Sequence, residues 1–344
     1  MSKLDNLGNV LIRSDLNVPI KNGEITDNFR ILKSVEILES ILDKSRTITF
    51  TSHMGRPNGK DLNLSLRPVA ESMSDFLGKE VRFIEEVFGE KVEEQIEKSE
   101  SKIFLLENLR FEKGEIENDK EFSNQITKPF NSYIFDAFGA AHREHASVVS
   151  FGENLESFQG PLMDKEIHEL DRLLNNSESG YAVLLGGAKI SDKLNLIEKL
   201  LPKVEYLMVG GGMCFTLLKA LGHEIGRSLL EESFISKAEE LLNSRFGKKI
   251  ILPIDFGVTD SIDSSVRENV KLDDFKNNHI GVDIGPQTVS NFRKILKKSN
   301  NIFWNGPMGI FEKEAFSYGT KEITEIISNS SAYTCIGGGD SVSA

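Results

Sequence analysis

Basic side chains in the first half of the chain occur in short polar motifs, mostly just after apolar runs: Arg30, His53, Arg56, Arg110 and Arg143. Arginine carries a planar, permanently charged group that matches the geometry of phosphate and carboxylate. A single arginine in such a position is usually solvated or caps a helix. Four in comparable positions favour a shared site, so the first half is predicted to hold a compact anion with its side chains.

Two further polar patterns in this half have simpler explanations when taken alone. Asp15 and Asn17, in RSDLNVP, precede Pro19 and are typical of an Asx turn or a cap. His142 and His145, in AHREHAS, have neither a third ligand nor an HExxH pattern beside them. We therefore expect these histidines to form hydrogen bonds or begin a helix, and not to bind a metal.

Glycine-rich motifs replace the arginines in the second half. GGAKISDK contains Gly186, Gly187, Lys189 and Lys193. Its two lysines are four residues apart and are expected on one face of a helix that begins after the glycines. The positive end of such a helix attracts phosphate, so phosphate binding and a plain surface role both remain open for these lysines.

Two later motifs also allow two explanations each. In GGGM, Gly210–Met213, the backbone can approach a flat ligand closely, or it can form a tight turn that packs a helix on a sheet. In GGGDS, Asp340 could hold Mg²⁺ against nucleotide phosphates or cap a helix. The chain lacks GxxxxGK[ST], a GxGxxG after a strand, and the HRD and DFG motifs, which disfavours P-loop enzymes, dinucleotide dehydrogenases and protein kinases.

The elements that must position these motifs alternate between short apolar strands and amphipathic helices. Strands are predicted at Val10–Arg13, Thr47–Thr51, Ile103–Leu106, Tyr133–Phe135, Tyr181–Leu185, Tyr206–Val209, Ile250–Leu252, Ile302–Trp304 and Tyr333–Ile336. Helices are predicted at Val87–Ser99, Ser191–Leu201, Ser233–Asn243 and Val289–Lys298. Such alternation indicates parallel α/β layers. The motifs follow the strands, at the sheet edge where open α/β sheets bind ligands.

Length and composition fit a two-domain protein. A chain of 344 residues suits two domains. We predict them at residues 1–160 and 178–344, with a connector helix at 161–177. Lys plus Arg number 41 and Asp plus Glu 53, and this net charge of −12 argues against nucleic-acid and membrane partners. Cys214 and Cys335 have no metal-ligand spacing, and no leader or apolar span is evident, so a cytoplasmic location is expected.

The motifs occur in an order that resembles the phosphoglycerate kinases: RSDLNVP, TSHMGRP, ENLRFEKGE, DAFGAAHREHAS, LGGAKISDK, VGGGM, WNGPMGIFE and IGGGDS. They extend over almost the whole chain. The resemblance implies two doubly wound parallel-sheet (Rossmann-like) α/β domains that face a cleft and are joined by a hinge helix. It also implies a glycolytic enzyme, active as a monomer with Mg²⁺, that reversibly transfers a phosphoryl group between 1,3-bisphosphoglycerate with ADP and 3-phosphoglycerate with ATP.

The resemblance also implies a role for individual residues. The first domain would bind 3-phosphoglycerate through Asp15, Asn17, Arg30, His53, Arg56, Arg110 and Arg143. The second would bind ATP or ADP through Gly187, Lys193, Gly211, Asn305, Pro307, Glu312, Gly338, Asp340 and Ser341, with Asp340 on the metal. The catalytic residues would be Arg30, Lys189 and Lys193, and among them Arg30 and Lys189 would neutralise the phosphoryl group during transfer.

The resemblance stops at the end of the chain. Members of the family continue beyond GGGD[ST] with a helix, a glycine-rich loop and a segment that returns to the first domain, whereas this chain ends at Ala344. The sequence therefore leaves open a truncated, catalytically idle member that only binds nucleotide or phosphoglycerate. An NAD-dependent dehydrogenase is a weaker alternative because its glycine fingerprint is absent.

Overall fold

The structure is a computed structural model that describes residues 6–21, 23–174 and 180–343, without the side chains of Leu174, Asp340 and Ser343. The chain divides into two compact units, Met1–His168 and Glu169–Ala344. Each unit has its own sheet and its own hydrophobic core.

The described residues of the first unit form eight strands: β1 (Gly8–Ser14), β2 (Ile20–Lys21), β3 (Glu24–Ile25), β4 (Ser45–Thr51), β5 (Val81–Ile84), β6 (Ile103–Leu106), β7 (Ser132–Asp136) and β8 (Glu156–Gln159). Six of them form a parallel sheet in the order β5-β6-β4-β1-β7-β8, and β2 and β3 pair as a short antiparallel ribbon. Alternate residues of β1 enter different cores. Val10 and Ile12 pack on one face of the sheet and Leu11 on the other, as the two-residue period of a strand requires.

In the same described part of the chain, the α-helices are α1 (Phe29–Val35), α2 (Leu38–Ile41), α3 (Arg67–Leu77), α4 (Glu90–Lys98), α5 (Lys113–Ile116), α6 (Lys120–Thr127), α7 (Phe151–Asn154) and α8 (Pro161–Leu174). Helix α3 has Pro68 in its first turn and ends at Gly78 with φ +59°. Proline at the start and glycine at the end are common helix boundaries. The division between the two units falls within α8. Residues 175–177 of the predicted connector lie outside the described residues.

The second unit contains β9 (Tyr181–Leu185), β10 (Tyr206–Val209), β11 (Ile250–Ile251), β12 (Asp255–Thr259), β13 (Glu268–Lys271), β14 (Ile280–Ile284), β15 (Asn301–Asn305) and β16 (Tyr333–Gly337). Five of these strands form a parallel sheet in the order β11-β10-β9-β15-β16. Its helices are α9 (Leu194–Leu200), α10 (Cys214–Ala220), α11 (Ile235–Asn243), α12 (Pro286–Leu296), α13 (Tyr318–Ser328) and α14 (Gly339–Ser343). As in the first unit, Val183 and Leu185 of the central strand enter one core, and Ala182 and Leu184 the other.

The predicted α/β class is confirmed, and each predicted strand is present within two residues at either end. The prediction missed an antiparallel sheet of order β13-β12-β14. Strand β13, ENVK, is mostly exposed and has no apolar alternation, so its pairing depends on β12 and not on a local pattern. Strands β5 and β8 were missed as well.

Candidate functional site

The predicted basic residues of the first unit, except Arg30 in α1, lie in segments that follow strands at one edge of its sheet. Strands β6, β4, β1 and β7 are neighbours and run parallel, so their carboxyl ends meet at this edge. The loops that follow them carry Asp15 and Asn17, His53 and Arg56, Arg110, and Arg143. Residues far apart in sequence are thus gathered at the edge where open α/β sheets bind ligands.

Arg110 is the centre of the basic cluster. It is 6% exposed, and its Nη1 donates to the carbonyl oxygen of Gly55. Its Nε and Nη2 are buried and have no hydrogen-bond partner among the described residues. Burial, and then the positive charges of Arg143, Arg13 and, more weakly, Arg56, lower the pKa of Arg110 to about 10. These arginines therefore form one region of positive charge around Arg110.

His53 lies among the same cations in its neutral form. Its Nδ1 is 3.0 Å from Nη2 of Arg13. Burial lowers the pKa of His53 to about 2, and the charges of Arg13, Arg110 and Arg143 contribute to the shift. His53 can therefore form hydrogen bonds at neutral pH without adding charge to the cluster.

Sequence reasoning missed Arg13, which is only 1% exposed. Its Nε donates to Oγ of Ser147 at 2.9 Å, and this oxygen donates to the buried carboxylate of Glu115 at 2.7 Å. Burial works against ionisation of Glu115, but His145, Arg13 and Ser147 together lower its pKa, so Glu115 supplies a negative charge beneath the cluster. The available signal was an arginine inside the apolar strand β1, since such a charge is rarely buried without a partner.

Arg30 and Asp15 form an ion pair of 2.8 Å between Nη1 and Oδ2, and the Arg30 side chain is half exposed. Asn17 accepts a hydrogen bond from the backbone N–H of Gly55 at 2.9 Å. Within the predicted set, Asp15 and Arg30 therefore contact each other, whereas Asn17 is hydrogen-bonded to the backbone of Gly55, the residue before Arg56.

In the second unit, the loops after β9, β10, β15 and β16 also meet at one sheet edge. Lys193 Nζ donates to Oδ1 of Asn305. The backbone N–H of Gly306 donates to Oγ of Ser341 at 2.6 Å. Gly338 has φ +90°, a backbone conformation that favours glycine. The Asp340 side chain, which was predicted to contact the metal, lies outside the described residues.

A pocket of about 640 Å³ opens beside these loops, and Gly187, Gly211, Pro307 and Glu312 of the predicted set line it. Apolar side chains, among them Leu229 and Met308, form much of the remaining wall. The backbones are closely packed here, because a Cβ on Gly211 would lie 2.6 Å from the backbone N of Gly187. This pocket has an apolar wall and a backbone-lined edge.

The predicted placement of Lys189 and Lys193 on one helical face is wrong. Helix α9 begins at Leu194, with Lys193 immediately before it, and Lys189 lies in the preceding irregular segment. Gly187 has φ +101°, so the chain leaves β9 through a turn and does not enter a helix directly. Lys189 is exposed, and its charge acts on Glu231.

The described residues contain neither a metal-binding cluster nor a membrane-spanning helix. No group of three or more His, Cys, Asp or Glu side chains there is arranged to hold a metal ion. Among the same residues, no helix combines the length and apolar character needed to cross a bilayer.

Two α/β units, one with an arginine cluster and the other with a glycine-lined pocket, have the architecture of a two-substrate phosphotransferase. The family model described as phosphoglycerate kinase matches residues 4–344. A phosphoglycerate kinase of Dictyoglomus turgidum is 43% identical over 340 residues, which are 97% of this chain and 86% of the relative. A phosphoglycerate kinase of Thermus thermophilus is 42% identical over 343 residues, with 97% and 87% covered.

Solved structures agree with this result. Phosphoglycerate kinase from Coxiella burnetii superimposes with a TM-score of 0.85 at 35% identity, covering all of this chain and 88% of that one. The enzyme from Pyrococcus horikoshii gives a TM-score of 0.84 at 30% identity, with 98% and 87% covered. The chain belongs to the phosphoglycerate kinase family. Its function is accordingly that of a phosphotransferase of this family, and the comparisons favour this over an idle binding member.

Proposed function

We propose that the basic cluster of the first unit binds 3-phosphoglycerate. Two buried guanidinium nitrogens of Arg110, without a partner among the described residues, carry this proposal. Arg56 and Arg143 act on Arg110 electrostatically, and His53 provides a neutral hydrogen-bonding group beside them. A carboxylate or phosphate would pair with these buried donors and offset the repulsion between the arginines. Asp15, Asn17 and Arg30 complete the proposed set.

The second unit would bind ATP or ADP in its pocket. The apolar wall suits a flat base, and the glycine backbone at Gly187 and Gly211 suits a closely approaching phosphate chain. Lys193, held by Asn305, would contact the phosphates. Pro307, Glu312, Gly338 and Ser341 would complete the nucleotide site. Mg²⁺ would enter with the nucleotide as part of the substrate, and Asp340 would contact it.

The chemistry requires charge neutralisation more than proton transfer. The acceptor carboxylate of 3-phosphoglycerate is already ionised at neutral pH, so no general base is needed. Catalysis then depends on alignment and on positive charge around the phosphoryl group. We assign the neutralising role to Arg30 and Lys189, which are both solvent-accessible. We also propose that the protein works as a monomer in the cytoplasm.

The direct test is a coupled assay of ADP formation from Mg-ATP that depends on 3-phosphoglycerate. In a second measurement, the protein is titrated with ADP while the fluorescence of Trp304 is followed. Trp304 is buried, adjoins Asn305 and donates from Nε1 to the carbonyl oxygen of Gly306 at 2.7 Å, so it should report binding at this loop. Turnover together with a saturable signal is the expected result. Binding without turnover would support the idle alternative, and no binding of either substrate would overturn the proposed sites.

A further inference from the structure

Asp283 is a buried carboxylate in the wall of the nucleotide pocket that no sequence motif singled out. It lies near the end of β14, is only 4% exposed and lines the pocket together with Gly309 and Glu312. It belongs to the antiparallel sheet that sequence reasoning missed. A carboxylate at such a depth is costly unless it is hydrogen-bonded, so its partners indicate what it stabilises.

Those partners belong to two different elements. Oδ1 of Asp283 accepts from the backbone N–H of Ile284 at 2.9 Å, and Oδ2 accepts from the N–H of Gly319 at 2.7 Å. Gly319 is in the first turn of α13, where backbone N–H groups lack partners within the helix. Asp283 thus ties β14 to the start of α13.

The loop that forms the pocket wall is attached to the same two elements. Ile310 N–H donates to the carbonyl oxygen of Val282 in β14 at 2.9 Å. Met308 N–H donates to Oγ1 of Thr320 in α13 at 3.0 Å. Val282 and Thr320 are the chain neighbours of Asp283 and Gly319. The Asp283–Gly319 bond therefore joins the two anchors of the loop that carries Pro307 and Glu312.

Two glycines leave the space that the Asp283 carboxylate occupies. A Cβ on Gly309, in the loop, would lie 2.5 Å from Oδ1 of Asp283. A Cβ on Gly319 would lie 2.4 Å from the same oxygen. Both distances are shorter than packed atoms allow, so any side chain at either position would displace the carboxylate or the element that carries it.

Arg267, the residue immediately before β13, lies near Asp283. Its Nη2 is 3.6 Å from Oδ2 of Asp283 and donates to the carbonyl oxygen of Ile284 at 3.0 Å. Burial raises the pKa of Asp283 to about 7, against the lowering effects of the Gly319 N–H and the Arg267 charge. The carboxylate oxygens can accept both backbone bonds whether or not Arg267 pairs with them closely.

We propose that Asp283 is a positioning residue for nucleotide binding, because its carboxylate fixes β14 and α13 together and so holds the pocket-wall loop 306–312 in place. The inference deepens the proposed nucleotide site and depends on it. Asp283 is not assigned a role in the chemical step.

The test compares two identical substitutions in buried aspartates of the same sheet. Asp283→Asn keeps the size of the side chain but replaces one accepting oxygen by an NH₂ group, so either the Ile284 or the Gly319 bond is lost. Asp255→Asn is the matched control. Asp255 is 3% exposed on β12, accepts from the N–H groups of Gln287 and Thr288 at the start of α12, and does not line the nucleotide pocket.

Isothermal titration of the full chain with ADP measures the effect. We expect Asp283→Asn to raise the Kd for ADP about tenfold, the factor expected for one lost buried hydrogen bond. Asp255→Asn should leave the Kd close to the wild-type value. The KM for 3-phosphoglycerate should be unchanged in both variants, a separation that a general loss of folding would not produce.

Gly319→Ala provides a second variant in case Asp283→Asn folds poorly. Gly319 does not line the pocket, but a methyl group on it would displace the Asp283 carboxylate. Alanine also has a higher helix propensity than glycine, so α13 itself should tolerate the change. It should also raise the Kd for ADP.

The outcomes separate the two levels of the proposal. Wild-type affinity for ADP in both Asp283→Asn and Gly319→Ala would overturn the positioning role and leave the proposed function intact. An equal loss in Asp255→Asn would also overturn it, because the effect would then be general to the sheet. Failure of the wild-type chain to bind ADP would overturn the nucleotide site itself and this inference with it.

Discussion

The arginines of the first unit differ in how completely their donors are used. Arg13 is buried and bonded to Ser147 and His53, so its role within the protein is structural as well as electrostatic. Arg110 is buried with two free donors among the described residues, and Arg30 is half exposed in an ion pair with Asp15. Loss of Arg13 should therefore affect folding most, and loss of Arg30 should affect it least.

At this scale the first prediction concerns turnover. Arg30→Ala and Lys189→Ala should each reduce kcat by about 10³-fold or more, because an arginine that neutralises a migrating phosphoryl group contributes on that scale. Stability should change little, since both side chains are accessible to solvent. Steady-state kinetics with both substrates saturating would measure the loss, with exposed Arg82→Ala as the control. A loss of only a few-fold in both variants would contradict the assignment.

The second prediction concerns pH. The pKa of His53 is held at about 2 in the folded chain, whereas an unfolded histidine titrates near 6.5. Between these values only the unfolded state binds the proton, so the stability of the first unit should fall as pH decreases below 6.5. The loss from this residue between pH 7 and 5 is about 2 kcal/mol.

Urea unfolding of wild type and His53→Gln at both pH values would measure the contribution of His53 to the free energy of unfolding. The variant cannot titrate at position 53, so its loss between pH 7 and 5 should be smaller by about the same 2 kcal/mol. Equal losses in the two proteins would show that His53 does not remain neutral in the folded state.

At the scale of elements, the proposed nucleotide pocket depends on loops whose backbones are in contact. Gly187 N–H donates to the carbonyl oxygen of Pro307 at 3.0 Å, and Met213 N–H donates to the carbonyl oxygen of Gly187 at 3.1 Å. The loops after β9, β10 and β15 therefore support one another at distances that exclude side chains. A disturbance in one loop is expected to reach the others.

The third prediction uses two glycines with positive φ in the same unit. Gly211 (φ +62°) has the backbone of Gly187 2.6 Å from the position of a Cβ, whereas Gly222 (φ +85°) has nothing within 4 Å. Gly222→Ala should cost only the backbone strain of about 1 kcal/mol. Gly211→Ala should cost more, because the loops must also separate, and should weaken ADP binding by on the order of tenfold. Thermal unfolding and ADP titration of both variants test this, and equal effects would contradict it.

For the whole molecule, the proposed sites divide the two substrates between the two units. Arg143 belongs to the first unit and Lys193 to the second. A lost charge-assisted hydrogen bond costs about 1.5–3 kcal/mol, or roughly ten- to a hundredfold in affinity. Because each substrate is assigned to one unit, a substitution in that unit should lower the affinity for its own substrate only.

The fourth prediction follows from this division. Arg143→Ala should raise the KM for 3-phosphoglycerate by roughly ten- to a hundredfold and leave ADP affinity almost unchanged. Lys193→Ala should do the reverse. Each substrate is titrated separately against both variants by calorimetry and kinetics. If either variant weakened both substrates equally, the assignment of one substrate to each unit would be wrong.

The sequence by itself determined the local elements and the family. Strands Ile103–Leu106, Tyr181–Leu185 and Tyr206–Val209 were predicted with the bounds that the structure gives them, because short apolar runs between glycines and polar turns are local signals. The order of the motifs identified the family, and the predicted α/β class agrees with the structure. The strands depend on neighbours within a few residues, and the order of the motifs can be read along the chain, so both can be inferred without knowing which strands pair.

Only the tertiary structure decided which side chains meet. Arg13 contacts residues that are 40 and 134 positions away, because β1 pairs with β4 and β7. The junction at Asp283 likewise depends on the contact between β14 and α13, which are distant in sequence. Lys189 is not part of a helix, because the chain turns at Gly187 and α9 begins only at Leu194. Such contacts arise from strand order and register, which are set by burial over the whole chain and not by nearby residues.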